Sequence, residues 1–178
     1  MFVDDLGYCG GTIISDDFVM TAAHCVADYS RWVIMAGAHD ITADTEPGRI
    51  EITSYDAFPH PEWNPTKWYG DVGLIRLPEP LDFDDNPAIR PSCLPPSVEY
   101  LIFTIVKVTL ELRHRSTDID NSYVPGRATA TGWGRTFDDQ SGVTPILHYV
   151  SDLPVIDNAA CAAWYDTLIY PGIMCIDR

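Results

Sequence analysis

Two stretches near the start, Cys9-Gly10-Gly11-Thr12-Ile13-Ile14-Ser15 and Thr21-Ala22-Ala23-His24-Cys25, decide how this chain is read. Between them stand the triplet Ser15-Asp16-Asp17 and the apolar run Phe18-Val19-Met20-Thr21. Ser and Asp side chains hydrogen-bond nearby backbone in turns, whereas β-branched and aromatic residues favour a pleated strand. Residues 11–21 therefore read as a β-hairpin. Its second strand runs almost directly into His24, the first histidine of the chain.

Outward from this hairpin the same texture continues. Residues 31–36 and 49–54 read as strands, the second alternating charged and apolar side chains at period two. Asp71-Val72-Gly73-Leu74-Ile75-Arg76-Leu77 is a further strand, stopped by Pro78. Residues 128–134 and 148–155 add two more, and Asn158–Tyr165 suits a short helix. Many short strands punctuated by turns predict an all-β barrel or sandwich. Residues 82–96, rich in Pro and Asp, read as an extended linker. Residues 98–124 change style. They open on the β-prone run Leu101-Ile102-Phe103-Thr104-Ile105-Val106 and are nearly neutral between acidic flanks. The run is too short and interrupted to span a bilayer, and it is an aggregation hazard if exposed.

The 178 residues, 46% of them hydrophobic, suffice for one sizeable domain or two small ones with a packed core. A net charge of −15 repels phosphate backbones and disfavours nucleic acid as a partner. The five cysteines, Cys9, Cys25, Cys93, Cys161 and Cys175, form no C-x-x-C pair, which disfavours zinc ribbons and thioredoxin-type motifs. Disulfides would imply an oxidising compartment. The start, Met1-Phe2-Val3-Asp4-Asp5, has neither the basic nor the long apolar region of a signal peptide. Cys93 is the odd one out, a free thiol or a cysteine whose partner lies outside this sequence.

Hydrolysis of a peptide by a serine enzyme needs a base, a carboxylate that orients it, and backbone N–H groups for the oxyanion. The block Thr21-Ala22-Ala23-His24-Cys25, with its prelude from Cys9, closely resembles the histidine motif of the chymotrypsin/trypsin (S1-type) serine protease family. The block from Asp71 to Leu77 resembles that family's aspartate motif. His60-Pro61-Glu62-Trp63-Asn64, Arg90-Pro91-Ser92-Cys93-Leu94-Pro95 and Thr131-Gly132-Trp133-Gly134 match further family blocks. The style is nearest to arthropod digestive proteases of the brachyurin type. The resemblance implies a chymotrypsin-like double six-stranded antiparallel β-barrel, its first barrel largely complete and its second incomplete. It implies His24 as catalytic base and Asp71 as its orienting partner. It also implies bridges Cys9–Cys25 and Cys161–Cys175. The expected organisation is an N-terminal barrel over 1–97, an atypical insert over 98–125 and a partial C-terminal barrel over 126–178. Read-through of non-coding sequence or a splice variant would account for the insert.

The family's nucleophile lies in Gly-Asp-Ser-Gly-Gly, a string absent here. Ser141 precedes a glycine but sits among Asp139, Gln140 and Val143 and reads as a turn serine. The activating Ile-Val-Gly-Gly amine is absent as well, so the chain reads as a fragment cut at both ends, without the catalytic serine and inactive as written. No cofactor and no metal is expected. The acidic residues Asp40, Asp44 and Glu46 stand where some family members bind calcium, yet without a clear ligand pattern they read as a solvated loop. His39, His60, His114 and His148 read as structural. The expected partner is a protein or peptide substrate, with no nucleic acid and no membrane, for a secreted monomer. A non-catalytic homologue acting as a binding or regulatory module is the competing reading. An unrelated all-β adhesion domain explains the strands and bridges but not the two motifs.

Overall fold

The computed structural model of the chain describes residues 2–3, 7–94, 124–135, 142–165, 169 and 173–177. Ser141, His114 and residues 98–123 of the expected insert lie outside the described residues. The chain divides into two compact units, Met1–Leu94 with Gly132–His148, and Pro95–Thr131 with Tyr149–Arg178.

The first unit contains strands β1 (Phe2–Val3), β2 (Gly7–Tyr8), β3 (Thr12–Ile13), β4 (Phe18–Thr21), β5 (Trp32–Ala36), β6 (Ile50–Ser54), β7 (Asp56–Pro59) and β8 (Gly73–Arg76). They form two antiparallel sheets, ordered β2-β1-β5-β6 and β3-β4-β8-β7. Alternation along β5 turns Trp32, Ile34 and Ala36 inward. Val19 from β4 and Ile75 from β8 meet them, with Val26, Leu77, Leu81 and Ile89 filling the same core. Ile75 is fully buried, and burying such a side chain is worth about 1.5–3 kcal/mol.

The expected hairpin is present as β3 and β4, with Ser15 at its turn. The Ser15 hydroxyl donates to Asp17 Oδ1 at 2.8 Å, and the Phe18 N–H donates to Ser15 Oγ at 3.0 Å. The segment from residue 82 is not the extended linker expected from its prolines. Asp82 Oδ1 accepts the N–H groups of Asp84 and Asp85, its carbonyl accepts that of Asn86, and the chain turns to bury Ile89 in the core. An Asp side chain at the head of a turn accepts backbone N–H groups two and three residues on and so favours the turn.

A three-stranded sheet, ordered β11-β10-β9, is formed by β9 (Arg127–Gly132), β10 (His148–Ile156) and β11 (Cys175–Ile176), and apart from Gly132 and His148 its residues belong to the second unit. Helix α1 (Asn158–Tyr165) lies between β10 and β11 in sequence, as expected. Asp157 begins it, its Oδ1 accepting the Ala159 N–H at 2.7 Å as an N-terminal cap. The all-β class holds for the described residues, whose one α-helix is these eight residues. No helix among them is long and apolar enough to cross a membrane.

Candidate active site

Strand register brings His24 and Asp71 together across 47 residues of sequence. Thr21, at the end of β4, lies opposite Gly73, at the start of β8. In an antiparallel pair, the residues just after one strand and just before its neighbour emerge at the same edge. His24 follows β4 in a 3-10 turn, Ala23–Cys25, and Asp71 precedes β8. The turn sits close on β8. A Cβ on Gly73 would lie 2.6 Å from Val26 Cγ2 and 3.2 Å from the Ala22 carbonyl oxygen. Only glycine permits that approach.

Asp71 holds His24 at two points. Its Oδ1 accepts the His24 backbone N–H at 2.9 Å, and its Oδ2 lies 2.8 Å from the ring Nδ1. A carboxylate accepts, so Nδ1 carries the ring proton and Nε2 is left as an acceptor. The His24 side chain is 45% exposed and that of Asp71 23%. Such a pair can take a proton at Nε2 from a hydroxyl placed there, because the carboxylate steadies the resulting cation.

The two bridges expected from the resemblance are formed, Cys9–Cys25 across a separation of 16 residues and Cys161–Cys175 across 14. The first fixes the histidine turn to the segment before β3, and the second ties α1 to β11. Cys93 is exposed and free. The Thr21 hydroxyl, buried, donates to the Gly10 carbonyl at 2.7 Å and holds the same segment to β4.

The loop over residues 39–49 is largely exposed, as expected, yet its acidic side chains are not equivalent. Glu46 turns inward: its Oε1 accepts the Asp40 N–H at 2.8 Å and its Oε2 the His39 N–H at 3.0 Å, with Arg49 Nη1 at 3.8 Å. These N–H groups, Asp40 first and His39 second, hold the Glu46 carboxyl below its ordinary value against the opposing effect of burial. Asp40 is likewise lowered, chiefly by the Thr42 hydroxyl donating to its Oδ1. Arg49 also donates to the Ala43 carbonyl, so the loop has its own internal cation.

Sequence reasoning missed the aromatic neighbours of His24. Trp68 meets the imidazole edge-on with centroids 5.3 Å apart, and Trp63 meets Trp68 at 5.8 Å. Trp68 is 47% exposed and adopts φ 51°, a left-handed conformation rare for a bulky residue. Three aromatics within the residues leading to Asp71, Trp63, Trp68 and Tyr69, were the available signal.

The chain is 33% identical over 177 residues to brachyurin of Leptuca pugilator, covering 99% of this chain and 66% of that protein. It is 32% identical over 167 residues to collagenase of Hypoderma lineatum, covering 94% of this chain and 51% of that one. Among solved structures, GrC aligns with a TM-score of 0.71 at 26% identity, covering 99% of this chain and 67% of GrC. The HL collagenase structure aligns at 0.69 and 27% identity, covering 98% and 64%. The chain thus spans between about half and two thirds of the length of the curated relatives it matches. The family model described as Trypsin matches residues 3–178, and the chain is a member of the trypsin family.

Proposed function

We propose that this chain supplies the base and orienting carboxylate of a serine endopeptidase acting on protein or peptide substrates. The observation that carries the reading is the double grip of Asp71 on His24, through the ring Nδ1 and the backbone N–H. In the mechanism, Nε2 takes the proton of a serine hydroxyl as it attacks the peptide carbonyl and then gives it to the leaving amine. Asp71 keeps the productive tautomer and stabilises the imidazolium. Membership of the trypsin family supports the assignment. The two disulfides support a secreted protein. The change of composition over 98–125 supports an insert between a 1–97 barrel and a second barrel from 126.

The 178 residues contain no Gly-Asp-Ser-Gly-Gly string, and we propose that they do not cleave peptides by themselves. A fluorophosphonate that acylates active-site serines tests this directly. The expected result is no labelling of the 178-residue chain. Stoichiometric labelling, abolished by His24→Ala, would instead show that a serine within it, Ser141 included, serves as nucleophile.

A further inference from the structure

Asp71 fixes the His24 ring at one atom, Nδ1, and fixes the backbone beside it through a separate bond to the His24 N–H. One hydrogen bond does not by itself keep a ring in place. The His24 side chain is 45% exposed, so water competes for Nδ1 and for the carboxylate. Rotation about the two side-chain torsions then carries Nε2 away together with Nδ1. Proton transfer at Nε2 needs the ring within hydrogen-bond reach of the reacting hydroxyl. A second contact on the ring is what such a base requires.

We propose that Trp68 is a positioning residue for His24, its indole keeping the imidazole seated against Asp71. The inference rests on the reading of His24 as a base. The indole meets the imidazole with centroids 5.3 Å apart and planes at 64°. That is the edge-to-face arrangement aromatic pairs prefer, and contacts of this class shift an equilibrium about 2–10-fold.

A brace is useful only if it is itself held, and the loop between β7 and β8 holds Trp68. Asn64 Oδ1 accepts the N–H groups of Thr66 and Lys67, both at 3.0 Å, and the Asn64 N–H donates to the Tyr69 carbonyl at 2.9 Å. At the root of the loop the His60 N–H donates to the Val72 carbonyl at 2.8 Å, and the Trp63 N–H to the His60 carbonyl at 2.9 Å. Trp63 so placed meets the far indole at 5.8 Å and 77°. Trp68 takes φ 51° to present its ring there. A left-handed conformation in a bulky residue persists only where its surroundings fix it, and such outliers gather at functional sites.

Trp68→Gly separates the indole from the loop. Glycine adopts φ 51° freely, so the loop keeps its shape while the ring contact is lost. In the nitrogen-15-labelled 178-residue chain, the His24 Nδ1–H should exchange with water about 2–10-fold faster in Trp68→Gly than in the parent. Trp68→Phe, which restores an aromatic ring, should bring the rate back to within about twofold of the parent. The backbone N–H of His24, bonded to Asp71, and that of Asn64, bonded to Tyr69, should exchange as in the parent. Unchanged Nδ1–H exchange in Trp68→Gly, or no recovery in Trp68→Phe, would overturn the proposal. So would faster exchange of the two backbone groups along with the ring, which would make Trp68 a brace of the loop alone. A parent Nδ1–H too fast to observe would overturn it as well, since no seated ring would exist to be held. A ring proton found on Nε2 in the parent would strike the reading of His24 as a base, and this inference with it. The readout needs no hydrolysis, so its failure is distinct from fluorophosphonate labelling, which bears on the activity of the chain.

Discussion

Asp71 decides what His24 can do, and one atom of it can be changed. In Asp71→Asn, Oδ1 can still accept the His24 backbone N–H, but the amide offers a donor where Oδ2 accepted. The ring should then move its proton from Nδ1 to Nε2 and lose its capacity as a base, with the fold intact. Nitrogen-15 shifts of the imidazole report the tautomer. An unchanged Nδ1–H form in the variant would refute the role given to Asp71. Glu46 is a second residue with a readable sign. Its folded pKa lies below the ordinary 4.5, so its contribution to stability is present above that value and lost as pH falls through the folded one. Glu46→Gln should therefore lower the urea midpoint at neutral pH, and the gap from the parent chain should close in acid. A gap independent of pH would assign the effect to packing. His24 and Asp71 were legible because whole motifs carried them. The inward turn of Glu46 was not, since three acids in a loop look alike until Arg49 and two backbone N–H groups select one.

At the level of elements, the contact of β8 with the histidine turn is the hinge of the site. Gly73→Ala would place a methyl 2.6 Å from Val26 Cγ2 and 3.2 Å from the Ala22 carbonyl. Overpacking of this kind costs about 1–3 kcal/mol, and here the yielding element is the turn that carries His24. The expected outcome is a lower melting temperature together with changed amide shifts over Ala23–Cys25 and at Asp71. Gly7→Ala, which meets nothing within 4 Å, should be close to neutral and serves as control. Equal effects of the two substitutions would remove Gly73 from its place in the argument. Strands β4, β5 and β6 and helix α1 could be read from apolar runs and periodicity, because their patterns are local. Strand β7 could not. It follows β6 after Tyr55 alone, and the change of sheet between them is set by partners: Ser54 Oγ donates to the Arg76 carbonyl, and Asp56 pairs with Arg76 across β8. Trp68 was hidden for the same reason, since no sequence pattern marks a tryptophan at φ 51°.

Across the molecule, the described residues of the two units are held by unequal means. The first buries a continuous core that includes Val19, Trp32, Ile34, Ile75, Leu77 and Ile89. Among the described residues of the second, the buried apolar side chains are Leu153, Val155 and the two bridged cysteines. Its Trp164, at 86%, and Tyr149, at 73%, are largely exposed. A bridge closing a loop of about 15 residues contributes roughly 3 kcal/mol by restricting the unfolded chain. In the first unit that sum adds to a large hydrophobic term. In the second it is of the same order as burying Leu153 and Val155 together, about 3–6 kcal/mol. Cys161→Ala/Cys175→Ala should therefore release α1 and β11, seen as fast hydrogen exchange over Asn158–Tyr165 and Cys175–Ile176, while β4, β5 and β8 stay protected. Cys9→Ala/Cys25→Ala should lower the first unit's stability by about 3 kcal/mol and leave its strands slow to exchange. Were the first pair of substitutions silent and the second to melt β4 and β8, the core assigned to the first unit would not be what holds it, and His24 and Asp71 would owe their meeting to the bridge.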